Sequence, residues 1–597
     1  MKRWLVFLVM VGCGGDDMVV AGNDAALPPV VEPAPAPEPA PSADPLPEPT
    51  PPPTPAPDPE AEALARAEAA QRAFDAQYPN HGLTFHFLAR VRGRPHHRAD
   101  VVGYMRRGAR FRASSRVPGV GCARGWFEVP GDGFVCRGEG FLIDDEPPSF
   151  EPTPVPAALE DALPYAYGFT ARADVPQYWR VPTPAEETRV VEALSALAAE
   201  EAAAAEAEAA TEAEATAAEE STAVEESAAA EESAAIAESA ATAPAEALPE
   251  EAAEEAAVAT EVDAPTPAEV PEVDGTEAAV AVAAPTTNVE APPPPGTQTT
   301  ESEPAEDAVD PSLVAAAQGT IEVPDYVRLR MGRGFYVSLD GEVTDEGRRF
   351  FRTVRGAYVR ANTITGNEPP THRGVVLGGR WQLPVAFVFR SGTHRLRRLP
   401  SSGRLRDLGV VERHTPFPIA DRFTRARREY LVARDGYLVR RTSLRVASAI
   451  ERPTEIPESD RWVHVNLKEQ TLVAYEGDHA VFATTVSTGR EGFDTPVGIF
   501  RIASKHVSTT MDDLNAGEES YLIEDVPWTM YFQGNFALHA AFWHHGFGRV
   551  RSHGCVNLAP ADARWVFQWA GPVVPAGWHG IFAGDDRPGS WIVITEE

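Results

Sequence analysis

Alternation of apolar and polar positions is concentrated in three parts of the chain, and each predicts β-structure. In the C-terminal part, residues 461–487 read RWVHVNLKEQTLVAYEGDHAVFATTVS. Val463, Val465 and Leu467 alternate with polar neighbours, residues 472–475 form a second apolar run, and residues 480–486 form a third. Turn residues at 468–470 and 476–478 separate the runs, so the pattern predicts an antiparallel meander. Residues 499–503, 528–532, 536–539 and 591–595 are further strand candidates, while PADARWVFQW at 560–569 has proline in its first turn and suits a short helix. A mainly β domain with one helix against the sheet is expected over residues 461–597.

The other two β-rich parts are shorter in period. Residues 101–136, VVGYMRRGARFRASSRVPGVGCARGWFEVPGDGFVC, break into short alternating strands at Gly and Pro, which predicts a small β-barrel within a domain at 61–187 led by an Ala-rich helix at 61–77. In the part at 319–450, Arg355-Gly-Ala-Tyr-Val-Arg360 and Asp435-Gly-Tyr-Leu-Val-Arg-Arg441 echo Asp132-Gly-Phe-Val-Cys136. Each phrase is a glycine turn leading into a strand. That suggests repeated β-units, although a common hairpin pattern arising independently would read the same way. The run GYMRRGARFR, then GCARGWFEV, then GDGFVC, resembles a bacterial SH3-like module of the kind that accompanies cell-wall enzymes.

Composition separates these parts. Within a linker expected at 14–60, residues from about Leu27 to Pro59 alternate Pro, Ala and Glu, which favours extended polyproline II and reads as a stalk. Residues 188–318 are Ala/Glu-rich, with Glu-Glu-Ser recurring at 219, 225 and 231; a six-residue step spreads glutamates around a helix, so a flexible acidic linker is expected there. The net charge of -35 belongs to that segment: residues 191–310 hold 31 acidic residues and no Lys or Arg, leaving 57 acidic against 53 basic residues elsewhere. The folded parts are nearly neutral overall, and nucleic acid is not an expected partner.

The chain begins MKRWLVFLVMVGCGG. Lys2 and Arg3 precede an apolar run too short to span a bilayer, followed by the small residue Gly12, which is the form of an export signal. With Cys13 directly after Val11-Gly12, residues 1–13 resemble a bacterial lipoprotein signal, although Met10 stands where Leu is usual. The resemblance implies lipidation of Cys13, attachment to a bacterial membrane and a periplasmic location. An ordinary cleaved signal is the other reading.

Export implies an oxidising compartment, so each cysteine needs an account. Cys122 and Cys136 lie close together in one β-rich stretch and are expected to pair. Cys555, in RSHGCVNL at 551–558, is left over and must be an intermolecular link or a reactive nucleophile. A nucleophilic thiol needs an imidazole to take its proton. His553 is near in sequence, but Gly554 argues against a regular strand between them; His539, ending its own strand candidate, could face the thiol from a neighbour. A zinc site from His539, His544, His545, His553 and Cys555 lacks any familiar ligand spacing, so no metal or cofactor is expected.

These residues carry a more specific resemblance. Leu538-His539, the interval to Cys555, Ser552-His-Gly-Cys-Val-Asn557, Val463-His-Val465, Ser487-Thr-Gly489 and Thr495-Pro-Val-Gly-Ile-Phe500 together resemble the L,D-transpeptidase catalytic domain of the YkuD type. The resemblance covers about residues 461–597 and implies a β-sandwich-like cysteine enzyme acting on peptidoglycan stem peptides. It implies Cys555 as nucleophile, His539 as general base oriented by the main-chain carbonyl of Ala540, and the amides of Gly554 and Cys555 as an oxyanion hole. Ser552, His553 and Asn557 would shape the substrate loop, and Tyr531 and Trp528, from the aromatic cluster at 528–543, are assigned to substrate binding. A monomer is expected, multidomain and mainly β.

Overall fold

The computed structural model describes residues 59–151, 154–240, 324–513 and 521–596. Cys13, the signal, nearly all of the proline stalk and most of the acidic segment lie outside the described residues. The chain divides into compact units at 1–69 and 70–597. Helix Pro59–Gln77 crosses that division. The architecture is mainly β, in several sheets. Among the described residues, no helix is long and apolar enough to cross a membrane.

Three small β-modules precede the C-terminal domain and share one strand plan. In the first, Asn80–Thr84 pairs with Arg110–Ala113 and Phe141–Asp144, and Leu88–Arg92 pairs with Val101–Arg106 and, at Arg92, with Phe134. The second repeats this with Ala166–Thr170 between Tyr336–Asp345 and Ile364–Gly366, and with Val175–Tyr178 against Val327–Met331 and Tyr358. The third does so with Val385–Val388 between Pro416–Arg425 and Leu444–Ala447, and with Thr393–Arg398 against Leu405–Val411 and Leu438. Tyr336–Asp345, Arg348–Thr353 and Tyr358–Arg360 recur 80 positions later as Pro416–Arg425, Arg428–Ala433 and Leu438–Arg440. Gly356 and Gly436 turn the chain at φ +85° and +83°, which a side chain would resist, and this explains the glycine phrases at 355–360 and 435–441. A disulfide joins Cys122 and Cys136 in the first module.

The second module departs from the expected division at 61–187 and 319–450, because its strands come from both sides of the acidic segment. Periodicity identifies strands but carries no information on which strands pair. The start of the expected linker is also ordered: Pro184–Ala240 is helical. Thr183 and Glu186 close a reciprocal cap, with Thr183 N–H on Glu186 Oε2 at 2.9 Å and Glu186 N–H on Thr183 Oγ1 at 3.3 Å. Val190 and Leu194, one turn apart, then bury against Tyr178, Val327 and Phe350. Farther along, Ala and Glu favour helix by propensity alone.

In the C-terminal domain, the meander Arg461–Asn466, Thr471–Glu476 and His479–Thr485 forms as the alternation requires. Trp591–Thr595 adds parallel to its first strand, and Gly498–Arg501 closes that edge. A second layer contains Ser504–Asp513, Tyr521–Gln533, Phe536–Ala540 and Val556–Leu558, the last pair parallel. Val463, Val465, Leu472, Ile592 and Ile594 from one layer meet Trp528, Met530, Leu538, Val556 and Leu558 from the other, with Ala563 and Val566 of helix Pro560–Trp569 completing the core. The fully buried Lys505 ammonium caps that helix, donating to the carbonyls of Phe567 at 2.6 Å and Ala570 at 2.5 Å.

All three modules are joined to this domain. Gly103 and Tyr104 of the first pair with Ile581 and Gly580. Tyr336 of the second bridges to Ile523. Val385, Phe387 and Ala447 of the third pack on Trp462, Val473 and Tyr475.

Candidate active site

The parallel pairing of Phe536–Ala540 with Val556–Leu558 positions the chemistry. His539 is in register with Asn557, so both side chains leave the same face. Cys555 stands in the bend immediately before Val556–Leu558, two positions ahead of Asn557, and its thiol meets the main-chain carbonyl of Asn535, just before Phe536–Ala540. Cys555 is partly exposed and is the free cysteine among the described residues. His539 is buried.

The imidazole of His539 donates from Nδ1 to the main-chain carbonyl of Ala540 at 3.2 Å, which leaves the lone pair on Nε2. Its ring stacks on Trp543 with centroids 5.7 Å apart. Burial pushes the His539 imidazole down to about 4, opposed by the Ala540 carbonyl, and pushes the Cys555 thiol up to about 11. Both groups therefore rest neutral: a protonated thiol, with Sγ 3.6 Å from the Asn535 carbonyl, and an imidazole able to accept a proton.

The loop before the thiol is braced from within. Gly554 has φ +111°, and a Cβ there would stand 2.4 Å from the Phe536 ring, so glycine is required both by conformation and by space. Its carbonyl accepts from Thr495 Oγ1 at 2.7 Å, and Thr495 in turn accepts the Gly489 N–H at 2.9 Å. Ser552 Oγ donates to the Cys555 carbonyl at 2.5 Å and accepts the Gly554 N–H at 3.2 Å. The Gly554 amide, expected to be free for an oxyanion, is thus engaged by a long bond that a developing negative charge would have to displace.

Other expected site residues fall in different places. His553 is exposed, and the break at Gly554 turns it to Arg490 Nη2 at 3.0 Å, to an edge contact with Phe493 and to a stack on Tyr521. Asn557 is buried and faces Nε2 of His544 at 3.0 Å, whose Nδ1 accepts the Gly546 N–H at 3.1 Å. Tyr531 is half-buried, and its phenol is held protonated by burial and by the neighbouring Cys555. Trp528 is a correction: it is 1% exposed, lies in the core against Phe567 and gives its indole N–H to the Ala162 carbonyl at 2.7 Å, so it has no face to offer a substrate. A long apolar-aromatic run cannot by itself distinguish cleft wall from core. Sequence spacing gives Thr495 no role, because its bracing of Gly554 joins positions 59 residues apart.

Among the described residues no group of three or more His, Cys, Asp or Glu side chains could hold a metal ion. Residues 460–594 match the YkuD family model, described as the L,D-transpeptidase catalytic domain. Solved structures similar to the chain include an L,D-transpeptidase from Stackebrandtia nassauensis, with 22% identity over 25% of this chain and 59% of that one, at a TM-score of 0.18. An L,D-transpeptidase from Enterococcus faecium aligns at 20% identity over 23% of this chain and 50% of that one, at a TM-score of 0.18. One from Mycobacterium smegmatis aligns at 16% identity over 43% of this chain and 98% of that one, at a TM-score of 0.19. The chain spans 59% and 50% of the length of the first two. No curated protein matches the chain.

Proposed function

From an L,D-transpeptidase catalytic domain of the YkuD family at residues 460–594, we propose that the chain is a peptidoglycan L,D-transpeptidase with Cys555 as its nucleophile. The observation that carries this reading is His539 Nδ1 tied to the Ala540 carbonyl, on the strand that pairs with Val556–Leu558 directly after Cys555. His539 Nε2 takes the thiol proton as sulfur attacks the carbonyl between diaminopimelate and the terminal D-alanine of a tetrapeptide stem. The proton passes to the departing amine of D-alanine, leaving a thioester. The side-chain amine of a second stem then attacks the thioester, a proton returns to sulfur, and a 3-3 cross-link results.

Because the resting pair is neutral, proton transfer accompanies attack instead of preceding it. The oxyanion is met by the Cys555 amide and by the Gly554 amide once it gives up Ser552 Oγ. Water as acceptor would make the protein an L,D-carboxypeptidase, and a protein lysine would make it an anchoring enzyme. The SH3-like character of the three modules, lipidation of Cys13 and a periplasmic site are part of the same proposal, and they rest on the sequence resemblances.

The test is digestion of wall material with the full chain and with Cys555→Ala, followed by separation of the fragments. Dimers linked 3-3 that need Cys555 support the transpeptidase; shortened tripeptides alone support the carboxypeptidase. Neither product would leave a wall-binding lipoprotein with an idle domain.

A further inference from the structure

The second and third modules share one strand plan, and the residue matching Phe350, Tyr430, is buried too, but among the described residues only the second module has a helix packed over this face. There, Arg348 and Arg360 flank the Phe350 ring, with guanidinium carbons 5.5 Å and 5.1 Å from its centre. The beginning of helix Pro184–Ala240 lies over this face. Glu187 bridges both cations, with Arg348 at 3.0 Å and Arg360 at 2.8 Å, and Glu201 pairs with Arg330 at 2.7 Å. Val190 and Leu194 of the same helix bury Phe350 completely.

Shifted by 80 positions, the same three places are Arg428, Tyr430 and Arg440. The register is the same: Phe350 is opposite Arg360, and Tyr430 is opposite Arg440. Arg428 and Arg440 are exposed. Neither pairs with a carboxylate among the described residues, whereas nearby Arg422 pairs with Glu429. Beside them is an open cleft of about 300 Å³ lined by Arg404, Leu405, Arg425, Ala426, Arg428 and Tyr430. Residues 385–447 contain 15 arginines, no lysine and 5 acidic residues. In the second module, the connection between the two equivalent strands is the one that contains the acidic segment; in the third it is only the short stretch between Arg398 and Leu405.

We infer that the Arg428–Tyr430–Arg440 face of the third module is a binding site for an acidic segment, and that its occupant is the remainder of this chain's own acidic insert, residues 241–310. Those residues carry 17 acidic side chains and no Lys or Arg, matching in sign the surface left uncovered. Tethering to the second module raises the effective concentration of the segment at the third. Carboxylates meet the two guanidinium groups as Glu187 does on the second module, and small alanine side chains allow the backbone to approach the cleft.

The test is limited digestion of the full chain by a glutamate-specific protease at low salt. Arg428→Gln/Arg440→Gln should speed cleavage within 241–310 by about five-fold, while Arg428→Lys/Arg440→Lys should remain near the parent rate. Cleavage after Glu469 and Glu476 in the catalytic domain, unchanged in both variants, shows that the fold is intact. Equal cleavage of 241–310 in the parent and the glutamine variant overturns the inference. Protection that grows with protein concentration also overturns it, because the occupant would then be a second copy.

Discussion

Arg106 of the first β-module and Asp525 of the catalytic domain form an ion pair at 2.5 Å, with side chains only 7% and 2% exposed. Arg106 also reaches Ser508 Oγ at 3.0 Å, and the Asp525 main-chain carbonyl accepts the Tyr167 hydroxyl of the second module at 2.6 Å. Glu524, next in the same strand, pairs with Arg328 of the second module at 3.0 Å. Adjacent carboxylates on Tyr521–Gln533 therefore fasten two modules to the strand that leads to Tyr531 and the active site.

A buried pair of this kind costs most when one partner is removed, since the other charge is stranded. Arg106→Ala should lower unfolding free energy by about 3–5 kcal/mol, whereas Arg106→Met/Asp525→Leu should recover much of the loss. Denaturant unfolding of the single and double variants checks this; additive losses would contradict the pairing.

His539 accepts a proton only while neutral, and burial sets that limit at about 4. The acid limb of kcat/KM should consequently fall well below the ordinary imidazole range, near pH 6.5. His539→Ala should reduce the rate by about 10²–10⁴-fold without changing Tm greatly. An acid limb near 6.5 in the parent would show that another histidine is the base.

Gly554→Ala tests the loop apart from the thiol. A side chain at φ +111° that also meets the Phe536 ring should cost about 1–3 kcal/mol locally and slow acylation, leaving Cys555 in place. Melting curves and acylation rates would measure both effects. Unchanged acylation would mean that the loop conformation is not needed.

Stability should also fall with acid. Burial depresses His414, His464 and His506 to about 4, and His544 and His579 to about 3. Unfolded, each binds a proton below about pH 6.5, so their contribution is complete above that pH and is lost as pH falls toward 4. Asp562, raised to about 6 by burial, works in the opposite direction: its contribution is present at low pH and lost as pH rises through 6. The five histidines outnumber it, and Tm should decline steadily from pH 6.5 to 4. A flat profile would count against neutral burial.

Much of this was legible in the sequence where the signal was local. The meander at 461–485, helix Pro560–Trp569 and the repeated glycine phrases follow from period, proline position and turn chemistry. The parallel pairing that sets His539 in register with Asn557, two residues after Cys555, joins separate strands, and periodicity carries no signal for it. Trp528 was misplaced because its burial is decided by what lies across the sandwich. The second module was hidden for a related reason: Val175–Tyr178 and Val327–Met331 are neighbours in the sheet although a long acidic segment separates them in sequence. Glu524 and Asp525 carry no local signal in the sequence, because their partners Arg328 and Arg106 are distant along the chain.

The central claim is that Cys555 forms the acyl-enzyme. Intact-protein mass spectrometry after mixing the full chain with a diaminopimelate-containing tetrapeptide stem tests it most directly. The account predicts an added mass equal to the tripeptide acyl group, mapped to Cys555, with D-alanine released, and loss of that adduct in Cys555→Ala. No adduct in the parent, or the same adduct in Cys555→Ala, would contradict it.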